Sequence, residues 1–176
     1  MWAHEVIKMR KMVEKSLEEA FAGESMAHMK YTIFAEVAEK EGKKNIARLF
    51  RAIAYAEFVH AKNHAMNLGY IKSTEENLAT AIGGETFEVE DMYPAYLAIA
   101  KHFGEKGAEM SFHYAISAEK IHAKLYDEAK EKASQNEDIE EKDIYICPVC
   151  GYTYIGDDPL ENCPVCGLPS EKFVKF

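Results

Sequence analysis

Apolar residues recur at helical spacing through most of the chain and lose that period near its C-terminal end. Leu17, Ala20, Phe21, Met26, Ile33, Phe34 and Val37 mark one face of a helix predicted over about 5–41. Gly42 then stands where helix C-termini favour glycine. A second helix is expected over about 44–68, closed by Gly69. Ser73-Thr74-Glu75-Glu76 has the form of a capping box, so a short helix should start there and be broken or kinked by Gly83-Gly84. A third helix follows to about Phe103, with Pro94 in its body as a kink or a restart point. A fourth is expected over about 106–133. Ser134 to Lys142 is polar and acidic and reads as a solvated linker, which divides the chain into 1–138 and 139–176. In the tail, Tyr145, Tyr152, Tyr154, Phe173 and Phe176 offer a small aromatic core for short β-strands.

Composition narrows the picture. The chain has 176 residues, 48% of them apolar, enough for one good core and a small appended unit. A net charge of -9 argues against nucleic acid and anionic membrane partners and fits ordinary solubility. No apolar run approaches the length of a membrane span. The start, MWAHEVIKMRKM, lacks an apolar signal core, so no export is expected. All four cysteines lie between 147 and 166, which argues for metal binding in a reducing cytoplasm over a disulfide framework.

The helices carry a repeat. Ala56 to Lys62 and Ala118 to Lys124 both read AExxHAK. Positions i and i+3 share a helix face, so Glu57 points with His60 and Glu119 with His122. Each pair is preceded, on the helix before it, by a lone Gly-Glu: Gly23-Glu24 and Gly84-Glu85. Burying such groups unpaired is costly, and a bound metal satisfies them. Two lone Glu residues plus two Glu-x-x-His pairs is the ligand pattern of ferritin-like di-iron carboxylate bundles, and mixed carboxylate and imidazole donors suit iron or manganese. Gly23 and Gly84 are either tolerated helix glycines or points of close helix approach. Tyr31 and Tyr93 are either core aromatics or hydrogen-bond partners of ligand carboxylates. His28 and His64 have workable spacing but lie outside the pattern. They read, like His4, His102 and His113, as surface or satisfied polar groups.

The tail carries CPVCG twice, at Cys147–Cys150 and Cys163–Cys166. Paired C-x2-C knuckles signal a tetrahedral four-thiolate site whose metal contributes folding energy to so small a unit. Spacing alone leaves zinc and iron open.

GESMAHMKY, AEFVHAKNH, GETFEVEDMYP and AEKIHAK resemble the rubrerythrin family, and Glu88 adds a further carboxylate at i+3 from Glu85. The tail resembles rubredoxin, with glycine after each knuckle and aromatics on both flanks. The resemblance implies a mainly α protein: a ferritin-like four-helix bundle and a rubredoxin-like domain with short strands. It implies two irons, bridged by Glu57 and Glu119, with Glu24 terminal on one and Glu85 and His122 on the other. Glu88 and His60 would alternate on the first iron, Glu88 when oxidised and His60 when reduced. Cys147, Cys150, Cys163 and Cys166 would hold a one-electron iron. The implied activity is reduction of hydrogen peroxide to water, with electrons from an external flavin reductase or rubredoxin passing through the tail iron. Two alternatives remain: a ferroxidase that handles iron, and a non-redox module with a structural zinc ribbon. A ferritin-like bundle needs one connection that runs its full length. Helix two is about 38 Å long at 1.5 Å per residue. Residues 69–84 reach about 50 Å extended but much less if partly helical. Exchange of helix pairs between chains in a head-to-tail homodimer is therefore expected.

Overall fold

A computed structural model describes residues 9–176. The expected start of the first helix near residue 5, and His4, lie outside them. Helix α1 is Lys11–Lys40, α2 Lys44–Leu68, α3 Thr74–Phe87, α4 Tyr93–Phe103 and α5 Lys106–Ser134. A π-helical segment, Glu88–Met92, joins α3 to α4. Three short strands follow, β1 Ile144–Ile146, β2 Thr153–Ile155 and β3 Val174–Lys175, in the antiparallel order β2-β1-β3. Among the described residues no helix is long and apolar enough to cross a membrane.

The chain divides into two compact units at Lys72 and Ser73. In the first, α1 and α2 form a hairpin. Its seam is alanine: Ala35 and Ala38 from α1 meet Ala47, Ala54, Ala61 and Ala65 from α2, all nearly inaccessible. Small side chains let the helices close, and His28 Nδ1 donates to the Ala54 carbonyl across the seam at 2.8 Å. The larger apolar residues that set the predicted period, Ile33 and Val37 among them, remain about half exposed at 52% and 48%. Gly69 ends α2 at φ 72°, in the left-handed region that favours glycine.

In the second unit, the Ser73 hydroxyl accepts from the Glu76 N–H while the Glu76 carboxylate receives the Ser73 N–H, which completes the capping box. The expected break at Gly83-Gly84 does not occur. The helix runs through both glycines to Phe87 because α3 lies along α5, and packing offsets the glycine cost of about 1 kcal/mol each. The irregularity falls at Glu88–Met92 instead, where the Tyr93 N–H reaches the Glu88 carbonyl. Pro94 has no N–H to donate and its ring crowds the carbonyl of Glu90. The wider π turn absorbs both effects. A Cβ built at Gly23 or Gly84 would meet nothing within 4 Å, so close approach does not explain either glycine in this chain.

The tail core is Cys147, Cys150 and Cys163, covered by Tyr152, Val165, Leu168 and Phe173 and by Tyr114 from α5. Tyr145 stacks on Tyr154 away from that core, at 6.3 Å between centroids. Phe176, expected inside, is 74% exposed.

Candidate metal centres

Three groups of ligand-type side chains converge among the described residues, each with its donor atoms within 4.8 Å of one another. In the first unit they are Glu24, Glu57 and His60. The α1–α2 seam brings the Glu24 carboxylate to 3.9 Å from His60 Nδ1, which also meets Glu57 Oε2 at 3.0 Å. In the second unit they are Glu85, Glu119 and His122. His122 Nδ1 lies 2.6 Å from Glu119 Oε2, and Glu85 shares a hydrogen bond with Glu119. Burial pushes the Glu85 carboxyl up to about 7, helped by that bond and by the Glu119 and Glu88 charges.

Glu88 stands outside that trio but answers to it. Burial raises its carboxyl, the Glu119 charge adds to the effect, and His122 opposes it. Tyr93 is raised by burial and then by Glu88, Glu119 and Glu85, so its hydroxyl keeps its proton beside the acidic cluster. Its ring meets Tyr96 and Phe112. Tyr31 packs against Phe34 and Phe50. The bond of His28 to Ala54 matches a satisfied polar group.

In the third group, Cys147 Sγ lies 3.5 Å from Cys166 Sγ, and Cys150 Sγ lies 3.4 Å from Cys163 Sγ. These contacts are far longer than a disulfide of about 2.05 Å. They approach the roughly 3.7 Å edge of a tetrahedron of sulfurs about 2.3 Å from one metal. The thiols are free and three of the four are buried. Burial pushes the Cys150 thiol up. Burial acts likewise on Cys163, but the N–H groups of Cys166 and Val165 outweigh it and bring that thiol down to about 7. Knuckle amides that stabilise thiolate sulfur are what a metal at this position requires. The donor sets therefore fit their metals: carboxylates with imidazole in the helices, four sulfurs in the tail.

The tail touches the helical ligands of its own unit. His122 Nε2 lies 2.8 Å from the Thr153 hydroxyl on β2, and a Cβ at Gly151 would sit 3.7 Å from Ala118 Cβ on α5. Neither Thr153 nor Tyr114 carries a sequence signal for this role, because both contacts join residues far apart in the chain.

The rubrerythrin family model matches residues 15–130, and the rubrerythrin rubredoxin-like domain model matches 145–174. The chain belongs to the rubrerythrin family. Rubrerythrin-2 of Clostridium acetobutylicum is 47% identical over 94% of this chain and 97% of its own length. Nigerythrin of Nitratidesulfovibrio vulgaris is 37% identical over 92% of this chain and 85% of its own. The solved structure of fully reduced, all-ferrous nigerythrin covers 100% of this chain and 92% of its own at 32% identity, with a TM-score of 0.56. The ferritin-like and rubredoxin-like fold expected from the sequence is thus the fold of the family. Rubrerythrins are di-iron proteins of oxidative-stress defence, and both of their cofactor sites are present here. Each unit holds one Glu and His group of the kind a di-iron site uses, and Cys147, Cys150, Cys163 and Cys166 form the rubredoxin-like iron site.

Proposed function

We propose that this chain reduces hydrogen peroxide to water, taking up two electrons and two protons per peroxide. Glu57 and Glu119, with Glu24, Glu85, Glu88, His60 and His122, would hold an iron pair in the roles the family resemblance implies. The iron pair would supply two-electron redox chemistry there, and Cys147, Cys150, Cys163 and Cys166 would hold a one-electron iron served by an external rubredoxin or flavin reductase linked to NAD(P)H. Tyr93, raised by burial and then by Glu88, Glu119 and Glu85, keeps its hydroxyl hydrogen close to these carboxylates. The observation that carries the reading is one chain that holds two Glu-x-x-His groups and a four-thiol site, with Thr153, on the strand after the first knuckle, hydrogen-bonded to His122. The bundle is assigned to 1–138 and the electron-carrying tail to 139–176. A reducing cytoplasm suits the free thiols.

Two chains assemble head to tail and exchange helix pairs in this reading. α2 has 25 residues, about 38 Å. Residues 69–73 alone link it to α3 and span about 17 Å extended. That is less than half of what a ferritin-like crossover needs. Ile33, Leu49 and Ile53 on the α1–α2 hairpin, 42–62% exposed, offer apolar surface to a second copy. A monomer in sedimentation at micromolar concentration would overturn the exchange.

The activity is tested by reducing the loaded protein without oxygen and adding one equivalent of hydrogen peroxide. Fast return of the sulfur-to-iron charge-transfer colour, with peroxide consumed, is the expected result. A tail that never shows the band contains zinc and ends the relay. A band that stays bleached while peroxide persists points to iron handling.

A further inference from the structure

We propose that Thr153 is a positioning residue that fixes the tautomer and ring plane of His122, a role that rests on the reading of His122 as a metal ligand. Thr153 is 6% exposed on β2, and its hydroxyl donates to the Gly151 carbonyl at 3.2 Å. The same oxygen lies 2.8 Å from His122 Nε2. A hydroxyl has one hydrogen to give. With that hydrogen on the Gly151 carbonyl, Thr153 meets His122 as an acceptor. Nε2 then carries a hydrogen toward Thr153, and the proton shared between Nδ1 and Glu119 Oε2 at 2.6 Å is the one a metal displaces, which frees the Nδ1 lone pair on the Glu119 side of the ring. Ligating histidines usually hand their second N–H to a fixed acceptor. Here the acceptor belongs to the strand that follows the first cysteine knuckle and not to the helices.

The two copies of the repeat differ in this respect. His122 is gripped on both ring nitrogens and its side chain is 28% exposed. His60 is 55% exposed, and its contacts among the described residues are all on the Nδ1 side. One imidazole is held at Nε2 by the tail and the other is held on its Nδ1 side alone among the described residues, an asymmetry absent from the repeated sequence itself.

The test uses the full-length chain and no peroxide, so it can fail while the proposed activity stands, or the reverse. In the zinc-loaded, diamagnetic protein, nitrogen–proton correlation of the histidine side chains should show hydrogen on His122 Nε2. Hydrogen on Nδ1 overturns the proposal. Cobalt(II) alone is then titrated against a chelator, with the cobalt–thiolate band reporting the tail separately. Thr153→Val should weaken cobalt binding at the helical site by about 10- to 100-fold. Thr153→Ser, which keeps the hydroxyl, should restore it. A purely structural Thr153 would disturb the tail band and leave helical affinity unchanged, and that result overturns the role. If Val costs the tail its band, the tautomer of the unsubstituted chain decides.

Discussion

Replacing Ala54 by Leu tests whether the alanine seam sets the geometry of the first ligand group. Ala54 is 3% exposed, at the centre of α2, with its carbonyl bonded to His28 on α1. Leu and Ala have similar helix propensity, so the change leaves the helix intact and adds three heavy atoms where no space exists. Overpacking of this kind costs about 1–3 kcal/mol. At about 2–4 °C per kcal/mol for a chain of this size, a loss near 2 kcal/mol lowers the melting temperature by about 4–8 °C. Relief comes from splaying the hairpin, which moves Glu24 away from Glu57 and His60. Cobalt affinity at the Glu24, Glu57 and His60 group should fall with stability, while the tail's cobalt–thiolate band stays unchanged. The assay is thermal melting of the metal-free protein beside cobalt titration, with Ala52→Leu, an exposed site on the same helix, as control. Wild-type stability and affinity in the Ala54 variant would refute the seam as the positioning device.

Three further outcomes are expected. Glu85 is held at about 7 against an ordinary 4.5, so the folded metal-free chain binds that proton more tightly than the unfolded one. Its stability should therefore fall as pH rises from about 4.5 to 7, and melts of Glu85→Gln should lack that slope. Pro94→Ala restores the missing N–H and lets the π turn relax toward α-helix. The helix should melt no lower than wild type, yet bind cobalt at the helical site more weakly in titration, because Glu88 at the mouth of the turn is re-aimed. Cys163→Ser removes a buried thiol from the four-sulfur site, so the visible band should be lost. Because β2 carries Thr153, His122 should then report a changed Nε2 environment in nitrogen NMR.

What could be read in the sequence was local, and what could not was long-range. The Glu-x-x-His pairs need only the helical period, and Gly69 needs only the left-handed φ of a helix end. The capping box at Ser73 needs three residues. Gly83-Gly84 misled because a glycine penalty is local while the packing on α5 that outweighs it is not. The α1–α2 seam escaped because alanine carries little signal beside Ile33 or Val37, although alanine is what allows the hairpin to close. The Thr153–His122 contact joins residues 31 apart on different kinds of element, beyond any periodicity.

The connector between α2 and α3 lies between these cases. Its five residues, 69–73, are a local fact once the capping box places the start of α3 at Thr74. Yet they constrain a global property. Read as 69–84, the link could span a bundle. Read as 69–73, it cannot, whatever the side chains do. On the proposed exchange the capping box has two roles: it starts a helix, and by starting it so soon after Gly69 it leaves a link of five residues, shorter than a bundle-length crossover. On the same proposal, lengthening the connector with a flexible insert of about ten residues should give a single chain the reach for a bundle-length crossover. If the proposed exchange holds, sedimentation of the insert variant should shift toward monomer relative to the unmodified chain with metal content retained, and no difference between the two would show that the connector does not govern assembly.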